Sequence, residues 1–546
     1  MESKLRLGLT YDDVLLVPKR STVRSRKEVS TKTKLSRNIT INIPIVASNM
    51  DTVCEHQTAI TMAREGGIGF LHRFCSTEEQ CAMVRKVKRA QSLMIEDPRT
   101  ISPKATKVEA LAGLSWNGRK NGVRSLMVVD ANAGNKLLGI ITKKDLVFAD
   151  DKDLIGTLMT PIERVVCSTN IAITLEEARD LMWKHRTSNI PVIGPNGELR
   201  ALVTESDIVK LTENTIASLD SKGRLLVGAA VGVKRDDLQR ARALVEAGCD
   251  VLVIDIAHGH SDFCMDMLKL LKNDPIVRAV DIIAGNIATG EAAADLIAAG
   301  ADGLKIGVGP GSICITRLVA GAGVPQLSAV MECTAVAHKY GVPCIADGGI
   351  KLAGDISKAI AAGADTVMLG NMLAGTDESP GRVLVKDGKK VKIIRGMAGY
   401  GANISKAERE QNVDDDVFLD MVPEGVEGNV PYKGPIAPIL KQLVGGLRSG
   451  ISYCGARTIE EMRNNATFVR MTPSGLKESG SHARKAEATT SRSCDTKKKR
   501  DVTNSPSFWF QGLRRQTLWA TLNKKKHDLR RRRQQENNVG PRSYPK

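Results

Sequence analysis

At 546 residues the chain has room for one large domain plus smaller ones, which excludes a peptide hormone, a knottin or a lone binding module. Hydrophobic residues at 42% and charged residues at 26% are ordinary for a globular protein, while only 3% are aromatic, so the core is expected to be aliphatic. The formal charge of +18 is unevenly spread: from Arg484 to Lys546 there are 18 Lys/Arg against 5 Asp/Glu, whereas the rest carries 61 against 56, so basicity is a property of the tail.

The eleven cysteines are scattered, with no CxxC and no Cys/His cluster at zinc spacing, which argues for free thiols in a reducing compartment. MESKLRLGLTYDD has no apolar signal region, and no apolar run reaches the ~18 residues that span a bilayer. The expectation is a protein neither secreted nor membrane-spanning.

In chain order, residues 1–95 contain two aliphatic strand candidates, IPIVASNM and GGIGFL. Between 96 and 216 an internal repeat appears: NGVRSLMVVDANAGNKLLGIITKKDL is echoed by TSNIPVIGPNGELRALVTESDI. Each copy reads strand, turn, strand, then Thr-x-x-Asp opening a helix, with Thr142/Asp145 and Thr204/Asp207 at equivalent places. The repeat resembles a tandem CBS pair, in which Thr and Asp at this step commonly hydrogen-bond the ribose of a purine nucleotide. The plainer reading of the same residues is a threonine N-cap with an aspartate in the first helical turn.

From 217 to 483 aliphatic runs alternate with Ala-rich amphipathic stretches: VLVIDIAH, DIIAGNI, GLKIGVG, PCIADGG and DTVMLG read as strands of successive βα units. Three helices end in one phrase, EAGCD, AAGAD and AAGAD, whose glycine suits the left-handed C′ position. With the two N-terminal strands the count approaches a (β/α)8 TIM barrel. A doubly wound open sheet is the alternative, although no GxGxxG follows a strand. Residues 484–546, with KKKR, KKK and RRRR among Gln, Asn, Ser and Thr, read as a disordered basic tail. A solvated appendage or a misread 3′ end ranks above a nucleic-acid arm.

The chemistry concentrates at strand ends. GVGPGSICIT, Gly307 to Thr316, follows the strand GLKI, placing Cys314 on an active-site loop of a barrel. A loop cysteine by itself is more often inert than catalytic. ADGGI (346–350) and MLGN (368–371) are further strand ends with free glycine N–H groups, suited to a phosphate. Asp347 is a short carboxylate suited to ribose hydroxyls. Each is equally a plain βα turn when taken alone.

GPGSICIT, ADGGI, MLGNMLAG, RGM and VEGNVPYKGP, with LTYDDVLLVP and NMDTV near the start, resemble the IMP dehydrogenase and GMP reductase family over about residues 5–480. The resemblance implies a (β/α)8 barrel, usually tetrameric, with the CBS pair inserted. It implies Cys314 as nucleophile on purine C2, with Thr316 beside it. Ser312, Gly349, Gly370 and Asn371 would hold phosphate, Asp347 the ribose, and Met50 and Met397 the purine. Asp255, Asn286 and Gly307 would lie near a nicotinamide, and the carbonyls of Gly309, Gly311 and Cys314 would hold potassium, completed by Glu478 to Gly480 of a neighbouring subunit.

Within that family the residues lean to a CBS-containing reductase. The segment Gly396 to Gly425 lacks the Arg-Tyr pair with which dehydrogenases activate water, and its arginine, Arg409, precedes Glu410. Glu424 matches the reductase carboxylate; PQLSAVMEC and Asn49 read the same way, and Ile394 stands where dehydrogenases commonly carry tyrosine. The CBS pair itself and VPEGVEGNVPYKGP are phrased like a dehydrogenase. The expected activity is NADPH-dependent conversion of GMP to IMP and ammonia, with Arg73 a candidate for the 2′-phosphate of NADPH. IMP dehydrogenase and a silent nucleotide sensor or nucleic-acid binder are the alternatives. Expected partners are GMP and IMP, purine nucleotides at Thr142, Asp145, Thr204 and Asp207, and further copies in a homotetramer or octamer. The expected compartment is the cytoplasm or a glycosome-like organelle, although the chain ends SYPK without the import tripeptide.

Overall fold

The aliphatic runs form strands buried on both faces, as a parallel sheet requires. The computed structural model describes residues 5–90, 93–114, 123–170, 173–213, 216–399 and 422–480; the basic tail lies outside them. Residues up to Lys477 make one compact unit, and Glu478 onward belongs to a second, of which only 478–480 are described.

Eight parallel strands close a barrel: β1 (Ile45–Ala47), β2 (Ile68–Leu71), β3 (Gly228–Val231), β4 (Val251–Asp255), β5 (Asp281–Ile287), β6 (Gly303–Ile306), β7 (Cys344–Asp347) and β8 (Thr366–Leu369). β8 pairs with β1 and β2 with β3, so the sheet has no edge and the open-sheet alternative is overturned. Helices follow the strands: α1 (His56–Arg64), α2 (Thr77–Ala90), α3 (Asp236–Glu246), α4 (Asp262–Asn273), α5 (Gly290–Ala298), α6 (Gln326–Ala337), α7 (Ala353–Ala361) and α8 (Ile436–Tyr453).

The repeated AGxD phrase does what its glycine suggests. Gly248, Gly300 and Gly363 have φ of +98°, +103° and +116°, and the next N–H reaches back to Leu244, Leu296 and Ala359 respectively. A side chain would strain each turn, and the shared cap delivers each helix into its next strand at the same angle.

Strand alternation divides the core. Outward residues such as Leu252, Ile254, Leu304 and Ile306 pack under the helices. Inward residues including Val46, Ile68, Phe70, Ala230, Val251, Val253, Ile283, Ile345 and Met368 fill the barrel. Gly228 is bare because an added Cβ would come within 2.4 Å of the Phe70 ring.

Between α2 and β3 the chain leaves the barrel to build the repeat. Strands Ser125–Asp130 and Lys136–Thr142 pair antiparallel, as do Asn189–Ile193 and Leu199–Thr204. Met127, Val129, Leu137, Ile140 and Leu202 pack the two hairpins together. Both connections are pinned at the strand-start end of the barrel: Asn42 Nδ2 donates to Ile216 O at 2.9 Å, and Lys88 Nζ donates to Asp220 at 3.0 Å and Asp250 at 2.6 Å. The inserted segment therefore joins the barrel at the end opposite the strand-end loops.

Phe70 is fully buried in the interior layer. Phe70→Ala is expected to destabilise the barrel by about 3–5 kcal/mol, because little around it can collapse into the void; a lowered urea midpoint checks this, and an unchanged midpoint would contradict it.

Candidate active site

Loops at the C-terminal ends of β1 and β4–β8 enclose two adjoining cavities, about 590 Å³ and 480 Å³. The first is lined by Ser312, Gly349, Gly370 and Asn371, the second by Cys314, Thr316, Glu424, Asp255, Asn286, Gly307 and Gly309. Met50, Gly311 and Asp347 border both, and Met397 borders the second. The expected phosphate and ribose residues thus share one cavity, and the expected chemical and cofactor residues share its neighbour.

The cysteine loop is held by its own backbone. Gly307 has φ +147°, and a Cβ there would lie 2.1 Å from Asp347 O, so glycine is required where β6 meets β7. Gln326 Nε2 donates to Ile306 O at 2.8 Å and Asp347 O at 3.1 Å, stitching the same two strand ends. Arg317 donates to the carbonyls of Val308 and Val324, and Cys314 N–H to Gly311 O at 3.2 Å.

Cys314 Sγ lies 3.2 Å from Thr316 Oγ1, whose hydroxyl donates to Glu424 Oε2 at 2.7 Å. Glu424 reaches the loop because the backbone around it is bonded there: Ile315 N–H donates to Glu424 O at 2.8 Å and Val426 N–H to Ile313 O at 3.0 Å, while Glu424 N–H donates to Ala398 O at 3.1 Å. The intervening residues 400–421, Arg409 and Glu410 included, lie outside the described residues.

Cys314 is partly exposed and faces the cavity. Burial instead pushes the thiols of Cys264 and Cys167 up to about 11 and those of Cys249 and Cys333 up to about 12. Those thiols stay protonated and inert, as cysteines in apolar surroundings do.

Deeper in the barrel mouth, Lys305 Nζ donates to Asp255 Oδ1 at 2.7 Å, contacts Asn286 Oδ1 and lies 3.6 Å from Asp347 Oδ2. Burial alone would raise the Asp255 pKa, but the Lys305 ammonium, then Arg73, outweigh it and hold the carboxyl below its usual range. Lys305 was not singled out from the sequence. Its signal was present: a lysine at an inward position of an otherwise aliphatic strand.

Arg73 stands beside Asp255, donating to its carbonyl at 3.4 Å, and its buried Nε has no partner among the described residues. With Phe74 it lines the Cys314 cavity, the space expected to take a polar cofactor. Asp51, likewise not foreseen, takes Arg395 Nε at 2.7 Å and sets the backbone that carries Met397.

In the inserted segment both Thr-x-x-Asp steps bond internally. Asp145 Oδ2 accepts from Thr142 N–H and Oγ1, each at 2.7 Å, and Thr204 Oγ1 donates to Asp207 Oδ2 at 2.5 Å. Among the described residues no group of three His, Cys, Asp or Glu is placed to hold a metal, and no helix is long and apolar enough to cross a membrane.

Comparisons with known proteins agree with this arrangement. Residues 8–482 match the family model described as the IMP dehydrogenase / GMP reductase domain. The chain is 74% identical over 475 residues to the GMP reductase of Leishmania donovani, covering 87% of this chain and 96% of the relative. It is 50% identical over 478 residues to an inosine-5′-monophosphate dehydrogenase of Nitrosopumilus maritimus, covering 87% and 98%. Among solved structures, a variant of GMP reductase from Trypanosoma brucei in complex with guanosine 5′-monophosphate superposes with a TM-score of 0.83 at 67% identity, covering 88% of this chain and 99% of that one. The GMP reductase of the same organism in complex with guanosine 5′-triphosphate gives 0.73 at 60% identity, covering 86% and 99%. A closed barrel carrying Cys314, Thr316 and Glu424 at one mouth, and a family match across most of the sequence, make this chain a member of the IMP dehydrogenase / GMP reductase family.

Proposed function

We propose that the chain is a GMP reductase, converting GMP and NADPH to IMP, ammonium and NADP+. The carrying observation is the line from Cys314 Sγ through Thr316 Oγ1 to Glu424 Oε2, at 3.2 and 2.7 Å. The high identity to reductases and the absence of Arg-Tyr from the Gly396 to Gly425 segment support the same branch.

In this reading GMP phosphate sits among Ser312, Gly349, Gly370 and Asn371, its ribose on Asp347, and its base between Met50 and Met397. The Cys314 thiolate bonds to purine C2 and N3 takes a proton. The 2-amino group then takes a second proton and leaves as ammonia, with Thr316 and Glu424 as the proton path. Asp255, Asn286 and Gly307 would hold NADPH, which when bound would supply the hydride that reduces C2; departure of the Cys314 thiolate and of the N3 proton then leaves IMP. Two protons are consumed overall when ammonia departs as ammonium. No hydrolysis occurs, so a water-activating base is unnecessary.

A potassium ion on the carbonyls of Gly309, Gly311 and Cys314 belongs to this proposal, as do a homotetramer or octamer and a location in the cytoplasm or a glycosome-like organelle. The inserted 96–216 segment is read as a tandem CBS pair that takes purine nucleotides through Thr142, Asp145, Thr204 and Asp207. The guanosine triphosphate complex of the Trypanosoma brucei relative supports a regulatory nucleotide of this class.

The purified protein is expected to oxidise NADPH with GMP, and Cys314→Ser to lose turnover while still binding GMP, since a hydroxyl is a far weaker nucleophile than a thiolate. Steady conversion of IMP with NAD and none of GMP would instead assign the dehydrogenase. Glu424→Gln should slow ammonia release by ~10² to 10⁴-fold with GMP affinity little changed; a rise in KM alone would leave it a binding residue. For the inserted segment, Asp145→Ala with Asp207→Ala should abolish the response of activity and of sedimentation to purine nucleotides while basal catalysis persists. A response identical to wild type would make these aspartates helix caps and nothing more.

A further inference from the structure

Lys305 is 2% exposed, on a strand whose other residues are Gly, Leu and Ile. Its ammonium touches residues from three other strands: Asp255 at 2.7 Å on β4, Asn286 on β5 and Asp347 at 3.6 Å on β7. Asn286 Nδ2 in turn donates to Asp347 Oδ2 at 2.9 Å and to Gly307 O at 2.8 Å. One buried ammonium thus bridges two partly exposed carboxylates; Asp255 also feels the Arg73 guanidinium, whereas Lys305 is the cation in contact with Asp347.

The two carboxylates belong to different compartments. Asp347 borders both cavities, whereas Asp255 and Lys305 border only the one that contains Cys314. Both contacts to Asp347 fall on Oδ2, which leaves Oδ1 as acceptor for a ligand hydroxyl.

Resting on the assignment of the GMP phosphate and ribose to the Asp347 cavity and of the nicotinamide to the Asp255 cavity, we infer that Lys305 is a positioning residue that couples the two subsites by sharing one ammonium between their carboxylates. It fixes Asp347 for the ribose and suppresses repulsion between the two aspartates. A ligand that takes charge or a hydrogen bond from Asp255 releases the ammonium toward Asp347, and the reverse holds by linkage.

The test measures GMP binding by calorimetry without cofactor in the full chain. Wild type is compared with Lys305→Met, Lys305→Arg, Asp255→Asn and the Lys305→Met/Asp255→Asn pair, and folding is checked by thermal melting. Lys305→Met leaves Asp347 without its cation and Asp255 with Arg73 alone, and should weaken GMP about tenfold or more. Lys305→Arg keeps the charge and should retain most of the affinity. Removing Asp255 as well relieves the repulsion, so the double variant should bind GMP at least roughly threefold tighter than Lys305→Met alone, a non-additivity that loss of packing would not produce. Should Lys305→Met fail to fold, Asp255→Asn carries the test, read as affinity for ribose 5-phosphate as well as GMP: it must alter both, although Asp255 does not border the cavity assigned to phosphate and ribose. Unchanged GMP affinity in Lys305→Met and Asp255→Asn, or simply additive losses in the double variant, would overturn the coupling while leaving the reductase assignment standing. No GMP binding by wild type would overturn both.

Discussion

Closure of the parallel sheet is the constraint on which the rest depends. Because β2 hydrogen-bonds to β3 across an excursion of more than a hundred residues, the sheet leaves no edge, and all eight strand ends emerge around one mouth. The period of two then decides which residues look inward. At the strand-start end and middle these are Val251, Ile283 and Ile345; at the strand-finish end the same alternation presents Asp255, Lys305 and Asp347. A packed apolar plug and a polar mouth are consecutive layers of one geometry. The register shift between Gly285 and Ile287 is the local exception, and it accompanies Asn286 turning into the polar layer.

The mouth separates tasks by rigidity. The Asp347 side is built from strand ends and glycine turns whose backbone has no slack, as at Gly307, where a single Cβ would collide with Asp347 O. The Cys314 side is completed by Glu424–Val426, whose backbone bonds to the cysteine loop at Ile313 and Ile315 and to Gly396–Gly399 on its other side. In the proposed reading, strand ends and glycine turns would hold the nucleotide beside chemistry completed by Glu424 from a separate segment, as a reaction with two successive half-steps needs.

The inserted segment joins at the other end of the barrel, through Asn42, Lys88 and Asp220. Lys88 also grips Asp250, the residue before β4, and β4 ends five residues later in Asp255. A strand of five residues therefore links the attachment point to the polar mouth.

Local signals in the chain determined a good deal. Aliphatic runs with glycine-ended helices specify successive βα units, because burial on both faces and a left-handed cap leave few other folds for such segments. Cys314, Ser312 and Asp347 were legible as strand-end residues, and resemblance to a known family, rather than spacing, pointed to Glu424, 108 residues beyond Thr316. In the Thr-x-x-Asp steps the residues alone allowed either a ligand contact or a cap, and the side chains bond to one another in the manner of a cap. What only the tertiary structure decided is the company each polar group keeps. Lys305 is one lysine among many in the sequence and becomes the hub of the mouth because barrel closure brings β4, β5, β6 and β7 side by side at one height. Contacts among residues tens of positions apart follow from strand register around a closed ring, and no local pattern of side chains encodes that register.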